Sequence, residues 1–331
     1  MSTHLDEKYT TLRRLVADMA GQRLPGEREL ATQLGISRPA LRSLLATLEA
    51  EGLVRRQQGS GTYAVDLEHT ALNTVALLID KDLKLGDDPF FSLLLERLQA
   101  HLQAENISCV IERIHEHHRP HNLQDGAITL GMAGRSVLAN LRPNDPPVVG
   151  LFVNVAVPVN AHASVFQLAD QEAGMEAAQH LISLHCRDLI FVGRRDIPAS
   201  CERLLGAEKA ALQMGCRCSF ISCALNYTAG FRLGRTIELP ASPDPVGIIV
   251  TNDWLAVGLQ AGLSSRSSTI PSSIYIVSFD GLPITEDPLL GIESLMVPLD
   301  TIATDTIAEL RRLRQPVAPV GRNVRYAFSW R

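Results

Sequence analysis

The chain has 331 residues, of which 46% are apolar and 20% charged, and its formal net charge is −5. These are the proportions of ordinary folded protein. No run of 18 or more apolar residues suggests a membrane span, and the polar start, MSTHLDEKYT, has no apolar signal core. The expectation is a cytoplasmic protein with no membrane partner. The charge is uneven: residues 1–65 carry +2 and residues 66–331 carry −7, so one end is suited to meet phosphate. Six cysteines are scattered along the chain and do not read as a secreted disulfide framework. Cys216 and Cys218, with Cys223 nearby, lack the CxxC pair of common metal and redox sites.

Residues 5–20 place Leu5, Leu12, Leu15, Val16 and Met19 on one side of a helix that Gly21 stops. A second helix is predicted from about Glu27 to Leu34, with Gly35 in the turn. Ser37 caps a third, and Pro39 fits its first turn, where no N–H is needed. Leu41, Leu44, Leu45, Leu48 and Leu53 form its buried side. The segment LVRRQQGSGTYAV reads as two short strands around Gln58-Gly59-Ser60-Gly61. Three helices and a glycine-tipped hairpin make a winged helix-turn-helix. Its second paired helix enters the DNA major groove by the N-terminal end, so Ser37, Arg38 and Arg42 face the duplex. A lone amphipathic helix can carry such arginines merely as solvated cations; here the surrounding pattern argues for contact.

Leu24-Pro25-Gly26-Glu27-Arg28-Glu29-Leu30, Ser37-Arg38, the run Leu48 to Val54 and Gly59-Ser60-Gly61-Thr62 occur in order over about 45 residues. This series resembles the GntR-type winged helix. The resemblance implies DNA contacts by Arg28, Arg38, Arg42 and the wing at Gly59. Pro39 and Ala40 stand where the family often has threonines, so the DNA sequence read here departs from the family's usual one.

From Asn73 onward short apolar runs alternate with helical stretches. TVALLID (74–80) suits a strand buried on both faces, followed by a helix from about Phe90 to Glu105. Eight further runs follow, separated mostly by helices at 171–185, 202–214, 228–238 and 253–263. Such alternation means parallel α/β sheets, and this many strands favour two of them. Ligands then bind beyond the strand carboxyl ends. The polar residues at those ends are Asp80, Asp88 with Phe90-Phe91, Asp170, Arg203, Asn252-Asp253-Trp254 and Asp280. Any one of them could be a helix cap. Together they suit a small polar ligand, since carboxylates, an amide and a guanidinium bind hydroxyls while aromatic faces cover a sugar's C–H surface.

DDPFF (87–91), residues 170–193, ERLLG (202–206), TNDWLAVG (251–258) and VSFDG (277–281) resemble the LacI/GalR-type effector domain, built like periplasmic sugar-binding proteins. The resemblance implies effector contacts by Asp88, Phe90, Phe91, Asp170, Arg203, Asn252 and Asp280, with Trp254 either at the ligand or at a subunit contact. It also implies two subdomains crossed by three segments, at 72–183 with 297–316 and at 184–296 with 317–331. Only residues 115–124 separate two strands where the family has room for a helix. That segment holds His115, His117, His118 and His121, a density that can bind Zn²⁺ or Ni²⁺ or sense pH; the plainer reading is an exposed polar loop. The GntR-type head joined to this body is similar to arabinose-repressor-type chimeras.

The expected fold is therefore α/β: a winged helix-turn-helix at 1–65, a linker at 66–73, and a two-subdomain periplasmic-binding-protein-like domain at 74–331. The expected function is a ligand-responsive transcription repressor, released from operator DNA by a small polar effector such as a sugar. A corepressor-dependent regulator or an activator shares the architecture, and a sugar-acting enzyme would also use paired carboxylates. No catalytic role, cofactor or resident metal is needed. A homodimer is expected, because two-fold protein reads a pseudo-palindromic site.

Overall fold

The computed structural model describes residues 3–51, 53–57, 60–65, 72–86, 88–115, 120–142, 144–157, 161–240, 244–266, 273–315 and 321–331. The head contains α1 (Thr3–Asp18), α2 (Glu27–Leu34) and α3 (Arg38–Ala50), followed by β1 (Val54–Gln57) and β2 (Gly61–Ala64). Gly35 ends α2 in the left-handed region at φ 63°, which glycine enters without a Cβ clash. Ser37 Oγ accepts the Ala40 N–H at 3.4 Å and starts α3. Leu12, Leu30, Leu41, Leu44, Leu45 and Leu48 are each 1% exposed or less, so the helices share one core. β1 and β2 pair antiparallel, Val54 opposite Ala64. The extended segment before α2 joins them, with Leu24 N–H donating to Thr62 O at 2.8 Å.

The first subdomain is built on β3 (Thr74–Asp80), β4 (Ser108–Ile114), β5 (Gly126–Leu130), β6 (Val148–Leu151), β7 (Ala163–Leu168) and β13 (Asn323–Tyr326). All pairings in this sheet are parallel, in the order β13-β7-β6-β5-β3-β4. Its helices are α4 (Pro89–Ala104), α5 (Gly131–Ala139) and α10 (Leu299–Leu313). The second subdomain holds β8 (Asp188–Gly193), β9 (Arg217–Ser222), β10 (Val246–Val250), β11 (Ile274–Asp280), β12 (Ile292–Met296) and β14 (Ser329–Trp330). Their order is β14-β12-β11-β10-β8-β9, parallel except where β14 meets β12. Its helices are α6 (Asp170–Ser183), α7 (Pro198–Gln213), α8 (Tyr227–Thr236) and α9 (Asp253–Ser264).

Two details correct the subdomain limits read from the sequence. Helix α6 belongs to the second subdomain, because its small-residue face packs directly on α7. A Cβ added at Gly174 would lie 1.9 Å from Arg203 O, and one at Gly206 would lie 1.9 Å from Gln171 O; only glycine allows backbones this close. Strand β13 belongs to the first sheet, where Asn323 pairs with Val165 and Tyr326 with Leu168. The chain therefore crosses between subdomains near residues 169, 297 and 327. Between β4 and β5 no helix occurs among the described residues, and edge strand β4 leaves Val110 and Ile111 about half exposed. Among the described residues no helix is long and apolar enough to cross a membrane.

Candidate functional site

In the head, Ser37, Arg38 and Arg42 all lie on the exposed N-terminal half of α3, and Arg28 is exposed on α2. Arg42 is fixed at both ends. Its Nε donates to Glu27 Oε2 at 2.8 Å, and its carbonyl accepts from Arg56 Nη2 of β1 at 3.1 Å. On the wing, Arg55 lies over the Tyr63 ring at 4.8 Å. Tyr63 Oη and Ser60 Oγ share a hydrogen bond at 2.8 Å. Gly59 and most of the 66–73 linker lie outside the described residues.

In the body, Arg203 enters from the first turns of α7 and is 5% exposed. Its Nε donates to Asp170 Oδ1 at 2.7 Å and its Nη1 to Thr251 O at 2.6 Å. Nη1 also lies 3.8 Å from Asp280 Oδ1. The guanidinium sits against both Phe279 and Phe328, 4.6 and 5.1 Å from the ring centres, and the two rings meet edge-on at 5.9 Å. Asp280 ends β11 at φ 115°, an unusual conformation for a non-glycine residue and one that marks functional positions. Burial raises its carboxyl well above the usual range. The Arg203 charge opposes that rise, while the carboxylates of Asp253, Asp88 and Asp170 add to it.

Asp253 starts α9 with no exposure. Its carboxylate accepts from Ser278 Oγ at 2.5 Å, Ser294 Oγ at 2.7 Å and Leu282 N–H at 2.6 Å. Burial pushes it up to about 6 against those hydrogen bonds. Asn252 caps α9, its Oδ1 accepting the Leu255 N–H at 2.9 Å, and the NH₂ is left as its donor. On the opposite side Asp88 precedes α4, its carboxyl raised by burial and partly held down by the Phe91 and Phe90 amides. Phe90 packs with Phe91 and Phe152 at 5.4 and 5.9 Å and is 7% exposed, so it serves the first core as well as the cleft.

The subdomains meet beside this polar set. Leu282 joins the apolar core of the first subdomain, and Trp254 packs against it. A groove of about 330 Å³ runs between them, lined by Pro89, Ser92, Leu93, Glu96, Trp254, Leu282, Pro283 and Ile284. Its lining flanks the charged residues rather than containing them. Sequence reasoning placed Asp253 among the strand-end polar residues without naming it as an effector contact, and it did not single out Phe279, Thr251 or Phe328. Phe328 carries no local signal, since it reaches Arg203 only through the last crossover.

Elsewhere His121 Nδ1 lies 2.8 Å from Glu112, while His117 and His118 lie outside the described residues. Among the described residues no group of three or more His, Cys, Asp or Glu is placed to hold a metal. Burial pushes the thiols of Cys186 and Cys218 up to about 11, far from the thiolate a metal or nucleophile needs.

The winged head has the form of a nucleic-acid-binding module, and the two-sheet body has the form of a ligand-binding domain with a polar cleft. Residues 9–64 match the gntR family of bacterial regulatory proteins, and residues 178–324 match the periplasmic binding protein-like domain. The head is thus a gntR-family domain, and the body carries a periplasmic binding protein-like domain.

Over 90 residues, 26% of this chain, it is 36% identical to the putative L-lactate dehydrogenase operon regulatory proteins of Escherichia coli and Shigella flexneri. The chain spans about a third, 34%, of the length of those relatives. It is 21% identical over 322 residues to the arabinose metabolism transcriptional repressor of Geobacillus stearothermophilus, covering 91% of this chain and 82% of that one. In fold, the body is similar to a LacI family transcriptional regulator from Enterococcus faecium crystallised with ribose. The TM-score is 0.65 at 18% identity, over 78% of this chain and 97% of that one.

Proposed function

We propose that this chain is a cytoplasmic, homodimeric repressor whose head holds operator DNA until a small, uncharged polyhydroxyl effector closes the cleft. The observation that carries the reading is the convergence of Asp88, Asp170, Arg203, Asn252 and Asp280 at strand carboxyl ends on a chain with a DNA-binding head. Asp88 comes from one subdomain and Asp280 from the other, yet the Asp88 charge helps raise the Asp280 carboxyl. A ligand between them bridges both halves.

Charge selects the ligand class. Among the named cleft residues one guanidinium stands among three carboxyl groups, and that guanidinium already serves Asp170 and Thr251 O. A phosphate or carboxylate would meet net repulsion in a poorly solvated place. Hydroxyls, by contrast, can donate to the carboxylates and accept from the Asn252 amide. Ribose and arabinose, which figure in the names of similar proteins, belong to this class. Effector shifts the protein between two states only by binding one of them better. In a dimer, closure alters the separation of the two recognition helices, which the operator's half-site spacing fixes.

The test is a thermal-shift screen of the full chain against neutral pentoses and hexoses and their phosphates. Hits are then titrated with and without an operator selected from random DNA. A neutral sugar should bind about 5- to 150-fold more weakly with operator present, a coupling of about 1–3 kcal/mol. Equal affinities would remove the allosteric reading, tighter binding would make the sugar a corepressor, and binding by phosphates alone would overturn the ligand class.

A further inference from the structure

Arg42 carries an exposed guanidinium on α3. In this head it is held before DNA arrives. Its Nε is taken by Glu27 at 2.8 Å, and Arg56, whose own Nε lies 3.5 Å from Glu49, grips the Arg42 carbonyl. Three parts of the head, α2, α3 and the wing strand, therefore meet at one residue. The Arg42 side chain is nonetheless 64% exposed and that of Glu27 35%, so the far end of the guanidinium projects toward solvent.

From this geometry we infer that Glu27 is a positioning residue for base recognition, presenting the Nη1/Nη2 end of Arg42 to one guanine in the major groove. The inference rests on the reading of the head as a DNA-binding domain. Arginine can pair with guanine O6 and N7 through its two terminal nitrogens or edge-on through Nε and one of them. With Nε engaged, only the end-on fork is left, and the Glu27 carboxylate fixes its direction. A tethered guanidinium loses less rotamer freedom on binding than a free one. The carboxylate also screens Arg42 from phosphates, because its own charge repels the DNA backbone. Glu27 thus trades general affinity for selectivity.

That trade has a signature a purely structural role would lack. Glu27→Gln should bind random-sequence DNA more tightly, having lost a negative charge, yet discriminate less at one base pair. Both proteins, as full chains, are taken through selection from random DNA, and the enriched half-site is then measured with each base at every position. The wild type should prefer guanine at one position by roughly tenfold or more, and Glu27→Gln should lose most of that preference while keeping the other positions. Arg42→Lys, which keeps a donor but not the planar fork, should lose part of it. In an Arg42→Lys background, Glu27→Gln should leave base preference unchanged, because the cycle isolates the pair.

An unaltered guanine preference in Glu27→Gln, or weaker binding to random DNA, would overturn the inference while leaving the head a DNA-binding domain. A wild-type chain that enriches no sequence would overturn that broader reading together with the inference.

Discussion

The cleft is overloaded with negative charge, and the two halves of its central contact should respond oppositely to removal. Arg203→Ala would leave Asp170 without the cation 2.7 Å away, Thr251 O without its 2.6 Å donor, and Asp280 without its neighbouring charge. It would also leave a void beside the paired Phe279 and Phe328 rings, which the guanidinium now covers. Breaking a buried pair from one side costs about 3–5 kcal/mol. Asp280→Asn is different in kind. Arg203 keeps Asp170 and Thr251 O, the shape is nearly unchanged, and asparagine tolerates positive φ better than most residues. What disappears is a carboxylate that burial and three neighbouring acids disfavour.

Asp280→Asn should therefore shift stability by less than about 1 kcal/mol or raise it, leaving a gap of about 3 kcal/mol between the two variants. Urea unfolding followed by tryptophan fluorescence reads the right region, since the chain's two tryptophans, Trp254 and Trp330, lie in α9 and β14. The sugar identified in the screen should bind Asp280→Asn about tenfold more weakly, the cost of roughly one hydrogen bond to a charged group. If Asp280→Asn unfolds as readily as Arg203→Ala, the two charges are balanced and the argument for an uncharged effector fails.

Asp253 supplies a pH prediction. Its carboxyl sits at about 6 when folded and at about 3.9 when unfolded. The folded state therefore holds the proton longer, and this group's contribution to stability is lost as pH rises from about 4 through 6. Relative to the wild type, Asp253→Asn should gain up to about 3 kcal/mol between pH 4 and pH 7; urea midpoints that stay parallel across that range would contradict it. Gly206→Ala drives a methyl into Gln171 O and should cost at least about 1–3 kcal/mol while weakening sugar binding, because it separates Arg203 from Asp170. An unchanged melting temperature would show that the helices can part freely.

The head was legible because its signals are local. Ser37, Pro39 and Gly35 act within one turn of where they stand, and the leucines of α3 repeat at helical spacing. The alternating architecture of the body was legible for the same reason, as was the set of polar residues that ends its strands. The subdomain limits were not. Helix α6 follows β7 in the chain, but its alanine and glycine face is matched to a helix some thirty residues later, a pairing no periodicity reveals. The four residues of β13 could edge either sheet, and only their pairing with Val165–Leu168 decides which. Asp253 was legible as a strand-end acid, but its burial beneath Ser278 and Ser294, which come from two other strands, was not.

The contact of α6 with α7 has a mechanical meaning. Where two helices touch backbone to backbone, little side-chain padding remains to compress, so α6 and α7 move as one plate. That plate carries both Asp170, at the first crossover, and Arg203, whose stacking partner Phe328 lies on the last. A ligand that tugs on Arg203 cannot dissipate its pull by bending the plate. A ligand held by Arg203 would therefore load the plate as a whole, and the strain would fall on the crossings near residues 169 and 327.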